Sequence, residues 1–376
     1  MIVGIPKEIK NHEYRMGMTP AGVRELVSQG HRVLVESGGG DAIGFDNVFY
    51  RAAGAEIVPT AAEVFASAEL IIKVKEPQPE ECQRLREGQI LFTYLHLAPD
   101  PEQAALLQAS GASAIAYETV TSPRGGLPLL APMSEVAGRM SIQAGAHHME
   151  KAHGGNGILL GGVPGVAPAR VCVIGGGVVG TNAARIAAGM GAQVTILDRS
   201  IERLHQLDDL FGGRVIALYS TQEAIEEHAL MADLVIGAVL MPGASAPRLI
   251  TQKHVQAMSK GSVLVDVAID QGGCFETSRP TTHQDPTYEV DDVVHYCVAN
   301  MPGGVARTST MALTNATLPF VSKLAGEGLE ALKQDQHLRD GLNVHGGMIT
   351  HEAVAAALDQ PYVPAEEALQ QFLRSA

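Results

Sequence analysis

Short apolar runs alternate with stretches of helical periodicity along the first 120 residues of the chain. The apolar runs are IVGI (2–5), HRVLVESGGG (31–40), LIIKVKEP (70–77), QILFTYLH (89–96) and ASAIAYETV (112–120). Between them, segments such as AGVRELVSQG and PEQAALLQAS carry apolar residues at helical spacing. Short strands separated by helices predict a parallel sheet covered by helices.

A second alternation follows a long helical stretch, predicted at 133–153, and a Gly/Pro-rich loop at 154–169. Its apolar runs are RVCVIGGG (170–177), AQVTILD (192–198), RVIALY (214–219), ADLVIGAV (232–239), SVLVDVAID (262–270) and HYCVAN (295–300). This spacing is typical of a doubly wound sheet. Another loop-to-helix transition follows Asn300, and we expect the C-terminal residues to return to the first lobe.

Composition and charge narrow the class of protein. The 376 residues are 46% hydrophobic and 18% charged, which is a globular composition. A formal charge of -14 argues against a nucleic-acid partner, because neutralising phosphates requires a basic surface. Small anions are still compatible with this charge if arginine or lysine side chains form a local pocket.

The cysteines and the apolar segments indicate where the protein resides. The four cysteines form no C-x-x-C pair, which predicts reduced thiols and no zinc site. The N-terminus has no apolar signal core. The apolar run at 157–180 contains two prolines, eight glycines and Arg170, so it is poor material for a spanning helix. We therefore expect a soluble, cytoplasmic protein with no membrane partner.

The strongest local motif is a glycine-rich turn after the first apolar run of the second lobe. Gly175, Gly177 and Gly180 satisfy G-x-G-x-x-G between a predicted strand and an alanine-rich helix. Such glycines allow a tight turn, close approach to a pyrophosphate, and helix–strand packing. Asp198 ends the next apolar run, where a carboxylate accepts the ribose hydroxyls of NAD. The motif predicts NAD as the cofactor, although the adjacent Arg199 weakens the argument against NADP.

Several segments together resemble one enzyme family. The family comprises the alanine dehydrogenases and the nicotinamide-binding part of proton-pumping transhydrogenases, and the resemblance covers residues 1–370. The matching segments are 4–30, KVKEP (73–77), TYLHLA (93–98), PMSEVAGR (132–139), the glycine turn, DVAIDQGGCFETSRPTTH (266–283) and VANMPGGVARTST (298–310). Met16, Gly17 and Val179 depart from the usual pattern, and the first two adjoin Arg15.

The resemblance implies an α/β fold of two doubly wound lobes. A Rossmann NAD-binding domain at 129–307 would be inserted into a discontinuous, flavodoxin-like substrate domain made of 1–128 and 308–376, with the active site in the cleft. Such enzymes are typically homohexamers. The reaction implied is the conversion of L-alanine, NAD and water to pyruvate, ammonium and NADH.

The resemblance also assigns four chemical roles. Arg15 would clamp the substrate carboxylate through a bidentate fork, and Lys75 would contact substrate at the end of its apolar run. His96 would be the general acid/base, since imidazole titrates near neutrality, and Asp270 the second catalytic group. Taken alone, these residues would be a solvated arginine, a snorkelling lysine, a structural histidine and a turn aspartate.

Further residues are expected to line the two sites by the same resemblance. The substrate pocket would be walled by Tyr94, Leu130, Met133 and Asn300. The NAD site would include, besides the glycines and Asp198, the residues Ser134, Val178, Val179, Arg203, Ser220, Val239, Leu240, Val267, Asp270, Val298, Asn300 and Met301. For the apolar members, ordinary strand-end packing is the competing interpretation.

No metal site is predicted. The histidine-rich segment HHMEKAH at 147–153 lacks H-x-x-x-H spacing. Some relatives bind a divalent ion on the helix after the second linker, where this chain has Lys323 and Glu327.

Other functions stay open at this point. They are a transhydrogenase-like subunit that exchanges hydride with a second nucleotide, a relative acting on lysine or ornithine derivatives, and a catalytically silent NAD sensor. Retention of Arg15, Lys75, His96 and Asp270 together disfavours the first and the last.

Overall fold

A computed structural model describes residues 1–239 and 247–375 and divides the chain into two compact units. Unit 1 comprises Met1–Met133 and Val305–Ala376, and unit 2 comprises Ser134–Gly304. The chain therefore leaves unit 1, builds unit 2 and returns to complete unit 1. Within the described ranges, no helix is long and apolar enough to cross a membrane.

Strands and helices alternate through both units. The described strands are β1 (Ile2–Ile5), β2 (Arg32–Glu36), β3 (Glu56–Val58), β4 (Leu70–Ile72), β5 (Ile90–Thr93), β6 (Ser113–Ala116), β7 (Arg170–Ile174), β8 (Gln193–Asp198), β9 (Val215–Tyr219), β10 (Leu234–Gly237), β11 (Val263–Asp266), β12 (Thr287–Val290), β13 (Val293–Tyr296), β14 (Leu342–His345) and β15 (Met348–Ile349). The described α-helices are α1 (Pro20–Ser28), α2 (Asn47–Ala52), α3 (Ala61–Ser67), α4 (Pro79–Cys82), α5 (Pro101–Ser110), α6 (Ala131–His148), α7 (Val178–Gly189), α8 (Ile201–Phe211), α9 (Gln222–Leu230), α10 (Gln252–Ala257), α11 (Ala306–Glu327), α12 (Glu330–Gln334), α13 (Gln336–Arg339), α14 (Glu352–Leu358) and α15 (Ala365–Ser375).

Unit 1 contains an eight-stranded sheet of order β15-β14-β6-β5-β4-β1-β2-β3. Strands β1 to β6 are parallel, and β14 joins β6 in antiparallel orientation. The expected parallel, helix-covered α/β layer is confirmed. Its first six strands follow the order 3-2-1-4-5-6, whereas a flavodoxin sheet has the order 2-1-3-4-5.

Unit 2 contains a seven-stranded sheet of order β12-β13-β11-β10-β7-β8-β9. Without β12, which pairs antiparallel at the edge, the order is 3-2-1-4-5-6, the order of dinucleotide-binding folds. The doubly wound sheet predicted for this half of the chain is confirmed. In such a sheet, the order reverses between the first and fourth strands, here β7 and β10, and ligands bind there.

The sheet of unit 2 is buried on both faces, as β7 illustrates. Val171 and Val173 join one apolar cluster, and Cys172 and Ile174 join another. All four side chains are almost fully buried. Because alternate residues of a strand point to opposite faces, a continuous apolar run is what a sheet with helices on both sides requires.

Helix α6 is shorter than its sequence pattern indicates. The prediction of one helix over 133–153 is wrong at its C-terminal end, because α6 ends at His148. The following glycine loop folds back, and the Gly157 N–H donates to the carbonyl of Met149 at 2.8 Å. A Cβ on Gly155 would lie 2.2 Å from the carbonyl carbon of Met149, so only glycine permits this close return.

Candidate functional site

The predicted carboxylate clamp is a buried ion pair within unit 1. Arg15 is 2% exposed, and its Nε and one terminal nitrogen donate to the two carboxylate oxygens of Glu13 at 2.6 and 2.5 Å. The other terminal nitrogen lies 3.2 Å from the sulfur of Met133. Burial alone would lower the pKa of Arg15, but the hydrogen bond and charge of Glu13 outweigh it and raise that pKa. The guanidinium is therefore a cation held in a fixed orientation.

An aromatic cluster lies at the end of β5. The Tyr94 hydroxyl donates to the carbonyl of Leu129 at 2.5 Å, and its ring stacks on His96 with centroids 5.9 Å apart. Tyr117 packs edge-on against Tyr94 at 5.0 Å. Burial raises the pKa of the Tyr94 hydroxyl, which is therefore a neutral donor. Of the predicted pocket walls, the structure thus places Tyr94 beside His96 and Met133 beside Arg15.

His96 lies three residues beyond the end of β5 and adopts a left-handed conformation, with φ of 49°. A carboxylate oxygen of Glu118 accepts its backbone N–H at 2.6 Å and that of Leu95 at 3.1 Å. Its imidazole Nδ1 is 3.7 Å from a carboxylate oxygen of Glu76, and the side chain is 45% exposed. The imidazole is therefore accessible and its backbone is fixed, which is compatible with general acid/base catalysis.

Two lysines that follow β4 differ sharply in their surroundings. Lys75 is half-buried, and its carbonyl accepts a hydrogen bond from the Thr93 hydroxyl at 2.9 Å. Lys73 is fully buried, with its ammonium 3.0 Å from a carboxylate oxygen of Glu8 and 2.8 Å from one of Glu81. Burial would lower the pKa of Lys73, but these two carboxylates outweigh it and raise that pKa. The buried ion pairs of Lys73 with Glu8 and Glu81 fix the backbone segment that carries Lys75.

The glycine turn of unit 2 leaves no room for side chains at two of its positions. Gly175 has φ of 105°, and a Cβ there would lie 2.6 Å from the carbonyl oxygen of Ala238. A Cβ on Gly180 would lie 1.8 Å from the carbonyl oxygen of Gly175. At Gly177, the residue that caps α7, a Cβ would meet nothing within 4 Å. Gly177 therefore borders open space at a helix N-terminus, which suits a pyrophosphate.

Asp198 closes this turn as well as ending β8. Its carboxylate oxygens accept the backbone N–H groups of Gly176 at 2.7 Å and Ser200 at 2.8 Å. The Arg203 side chain donates to the Gly176 carbonyl at 2.7 Å and to the Thr181 hydroxyl at 2.8 Å. Asp198 thus has a structural role that the motif alone did not reveal. Arg203 is anchored beneath the turn.

The position predicted for Asp270 needs correction. The apolar run 262–270 predicts a strand that ends at Asp270, but β11 ends at Asp266, and Asp270 is exposed on the 3-10 turn Val267–Gln271. The buried Asp266 begins this turn by accepting the Ala268 N–H at 3.1 Å. It also accepts the N–H of Cys274 at 2.9 Å. The carboxylate therefore ends the strand, and the apolar residues that follow belong to the turn.

Asn300 lies in the loop after β13 and adopts a left-handed conformation, with φ of 58°. Its carbonyl lies 3.1 Å from His283 Nε2. Most other predicted cofactor residues follow strand ends, helix starts or loops of unit 2, and Leu240 lies outside the described residues. Their positions are Ser134 (α6, half-buried), Val178 (exposed) and Val179 (half-buried) in the first turn of α7, Ser220 after β9 (buried), Val239 after β10 (half-buried), Val267 after β11 (half-buried), and Val298 and Met301 after β13 (buried).

Two acidic residues beside the predicted groups were missed by the sequence reasoning. Glu13 is two residues from Arg15, and Glu118 follows β6 as His96 follows β5. The second could have been found, because neighbouring parallel strands end at the same edge of a sheet. Glu13 offered no comparable signal, since its contact depends on the conformation of an irregular segment.

Two family models match the chain. The model described as alanine dehydrogenase/PNT, N-terminal domain, matches residues 4–137, and that described as alanine dehydrogenase/PNT, C-terminal domain, matches 141–352. Together they cover most of both units.

Several named proteins are similar to this chain over nearly its whole length. An alanine dehydrogenase of Halomonas elongata is 63% identical over 97% of this chain and 99% of its own length. One of Bacillus subtilis is 57% identical over 98% of both chains. A solved L-alanine dehydrogenase superposes with a TM-score of 0.93 at 53% identity, covering 96% of this chain and 99% of its own. A transhydrogenase from Sinorhizobium meliloti gives 0.80 at 26% identity, covering 94% and 100%.

Proposed function

This chain belongs to the alanine dehydrogenase/PNT family, and we propose that it catalyses the reversible, NAD-dependent oxidative deamination of L-alanine to pyruvate and ammonium. The observation that carries the substrate assignment is the buried, charged Arg15 held by Glu13. A cation kept in this orientation suits a substrate carboxylate, which a hydride exchange between two nucleotides does not need.

In this proposal, most of the substrate contacts come from unit 1. Because Glu13 accepts hydrogen bonds from Nε and one terminal nitrogen of Arg15, the substrate carboxylate would approach the guanidinium from the side of Met133. This differs from the bidentate clamp expected from the sequence. Lys75 supplies a second positive charge, and Tyr94 a wall next to His96. Leu130 and Asn300 complete the set that we propose to contact the substrate.

The NAD site is proposed on unit 2. The glycine turn fits a dinucleotide, since Gly175 and Gly180 are sterically required and Gly177 borders open space at the start of α7. Asp198 would accept the ribose hydroxyls with lone pairs not used by Gly176 and Ser200. When bound, NAD accepts the hydride that leaves the Cα of alanine. The other lining residues expected from the resemblance would also contact NAD.

We assign general acid/base catalysis to His96 and Asp270. Loss of hydride from Cα gives an iminium, water adds to that carbon, and the C–N bond then breaks to release ammonium and pyruvate. His96 would accept a proton from the added water and return it to the amino nitrogen, so that the nitrogen can leave as ammonia. It would then take the hydroxyl proton as the carbonyl forms and pass it to ammonia, giving ammonium. Its imidazole is accessible and its backbone is fixed by Glu118. Asp270 would hold the developing ammonium.

We propose that 1–128 with 308–376 form the substrate domain and 129–307 the NAD domain. We also propose that the protein is a cytoplasmic homohexamer. Light scattering on the purified chain measures the assembly, and a mass of one or two protomers would contradict it.

The function is tested by NADH absorbance with alanine, serine, glycine or no amino acid, in both directions. We expect turnover with alanine and, in reverse, with pyruvate plus ammonium. Hydride exchange between nucleotides without an amino acid would support a transhydrogenase, and NAD binding without turnover a silent sensor. Lys75→Ala should abolish deamination and leave NADH binding by fluorescence titration intact, whereas wild-type turnover in this variant would remove Lys75 from the site.

A further inference from the structure

A cluster of three possible metal ligands lies in unit 2, at the C-terminal end of α6. His147 Nδ1 is 3.7 Å from Glu150 Oε1, and His153 Nε2 is 4.0 Å from Glu150 Oε2. One ligand atom from each residue lies within 4.8 Å of the other two. We propose that this His-Glu-His cluster binds a divalent transition-metal ion, with Zn²⁺ as its best match.

The local backbone explains why residues so close in sequence converge. Helix α6 ends at His148, and Glu150 is extended, with φ of −68° and ψ of 146°. The 3-10 turn Lys151–His153 then ends at Gly154, whose φ is 87°. This reversal brings the His153 ring back over His147, with centroids 3.9 Å apart. The expectation of no metal site depends on the absence of H-x-x-x-H spacing. That spacing applies where two ligands lie on one helix, whereas these three residues do not all lie on the same helix.

The donor set selects a class of metal. Two imidazoles and a carboxylate suit Zn²⁺, Ni²⁺ or Cu²⁺, whereas Mg²⁺ and Ca²⁺ prefer all-oxygen sites. At zinc–ligand distances of about 2.0–2.1 Å, tetrahedral ligands lie roughly 3.4 Å apart. The ligand atoms, which lie within 4.8 Å of one another, would therefore have to move closer by at most about 1.4 Å. All three side chains are exposed and able to make this movement, with water completing the coordination.

The neighbouring His148 acts as a wall and not as a ligand. Its Nδ1 lies 2.8 Å from the Ala144 carbonyl, and its ring packs 5.4 Å from that of Tyr296. It also lies 5.1 Å from the His147 ring and 5.6 Å from the His153 ring. A buried, anchored ring beside the cluster limits the conformations of both proposed ligands. A bound ion would tie the end of α6 to the turn that leads into the glycine loop.

The test uses the full-length, untagged chain, stripped with EDTA and titrated with Zn²⁺ by calorimetry. We expect one site per chain, with affinity falling at least 10-fold in His147→Ala and in His153→Ala, since even outer-shell changes cost 10- to 100-fold. His228→Ala, a half-buried histidine on α9 outside the cluster, is the matched control and should bind like wild type. Failure of wild type to bind Zn²⁺, or equal loss in the control, would overturn the proposal.

Two further readouts separate metal binding from folding. Co²⁺ added to wild type should give visible d–d bands that the His147→Ala/His153→Ala double variant lacks. Zn²⁺ should raise the melting temperature of wild type but not of the double variant, because an ion that binds only the folded state stabilises it. Without metal, the two proteins should melt alike. Retained Zn²⁺ binding or Co²⁺ bands in a folded double variant would show that the ion binds elsewhere.

Discussion

The carboxylate of Glu13 fills the guanidinium fork of Arg15, with oxygen–nitrogen distances of 2.6 and 2.5 Å in a fully buried setting. An unpartnered guanidinium would be costly at this depth, so Glu13 makes the burial of Arg15 tolerable. It also decides which face of the cation a ligand can reach. Glu13 is therefore a positioning residue for the proposed clamp.

Glu13→Gln should raise the KM for alanine and pyruvate by about 10-fold or more and change the KM for NADH little. The reason is that one partner of a buried, hydrogen-bonded ion pair is lost, a change that costs about 2–5 kcal/mol in comparable pairs. Steady-state kinetics with each substrate varied in turn measures this. Glu56→Gln, which breaks the exposed pair with Arg32, is the control and should leave both KM values unchanged. An equal rise in all KM values would indicate a general structural defect.

Glu118→Ala should lower kcat by roughly 100-fold, the cost of a displacement of about 1 Å in a catalytic group. Without the carboxylate, the left-handed backbone of His96 loses the acceptor of its N–H. Glu118→Gln keeps an acceptor oxygen and should retain most activity. His96→Gln should cost about 10²- to 10⁴-fold and flatten the limb of the pH–rate profile that belongs to the imidazole. If Glu118→Ala keeps wild-type kcat, Glu118 does not position His96.

Wild type should prefer NAD over NADP by about 100-fold in kcat/KM, because the 2′-phosphate would face Asp198 as a like charge. Asp198→Ala should weaken NAD binding, both by losing the ribose acceptor and by leaving the Gly176 and Ser200 N–H groups without their partner. NADP should gain only modestly, since Arg203 is anchored to Gly176 and Thr181 and is not available to meet the phosphate. Equal kcat/KM for both cofactors in wild type would remove Asp198 as the ribose acceptor.

Asp335→Ala should destabilise unit 1 at neutral pH by about 1 kcal/mol, the usual worth of an N-cap. Asp335 accepts the N–H groups of His337 and Leu338 and pairs with Lys323 at 3.0 Å. Burial alone would raise the pKa of Asp335, but these partners outweigh it and lower that pKa. A carboxyl group whose pKa is lower in the folded state than in the unfolded state stabilises the fold at pH values above its unfolded-state pKa. This stabilisation disappears as the pH falls through its folded-state pKa.

Urea unfolding of wild type and Asp335→Ala at pH 7 and near pH 3 measures this difference. We expect the difference in unfolding free energy between wild type and Asp335→Ala to have its full value at pH 7 and to be smaller near pH 3. Glu330→Ala, which removes an exposed pair with Lys333, is the matched control and should show little effect at either pH. A gap that widens in acid would contradict the assigned sign.

The sequence predicted the central parallel strands of both sheets because these strands are mostly apolar runs, as burial on two faces requires. Strands β12 (TYEV) and β14 (LNVH) contain no such run and were not predicted. The sequence predicted the glycine turn because three glycines, a strand and a terminal carboxylate agree with one another. The ends of strands were harder to predict. Strand β11 ends at Asp266 because its carboxylate accepts the N–H groups of Ala268 and Cys274, which lie in a segment without strand or helix periodicity.

The conformations that fix the proposed site residues were beyond the sequence pattern. His96 and Asn300 are two of the six non-glycine residues with positive φ in the described ranges. Such backbone is costly and is held by tertiary contacts, as Glu118 holds His96. The His-Glu-His cluster was missed for a related reason, because a glycine-directed turn, and not a helical period, brings its members together.

The antiparallel joining of β14 to β6 has a consequence for biosynthesis. On the ribosome, β6 emerges long before β14, and roughly 230 intervening residues take about 10–50 s to translate. For that time β6 is an open sheet edge with unpaired backbone groups, a template for pairing with another nascent chain. Unit 2, whose strands are contiguous in sequence, closes its sheet during the same interval. The last-made residues thus seal the edge of the first-made sheet, and a chain truncated before Leu342 would keep that edge open.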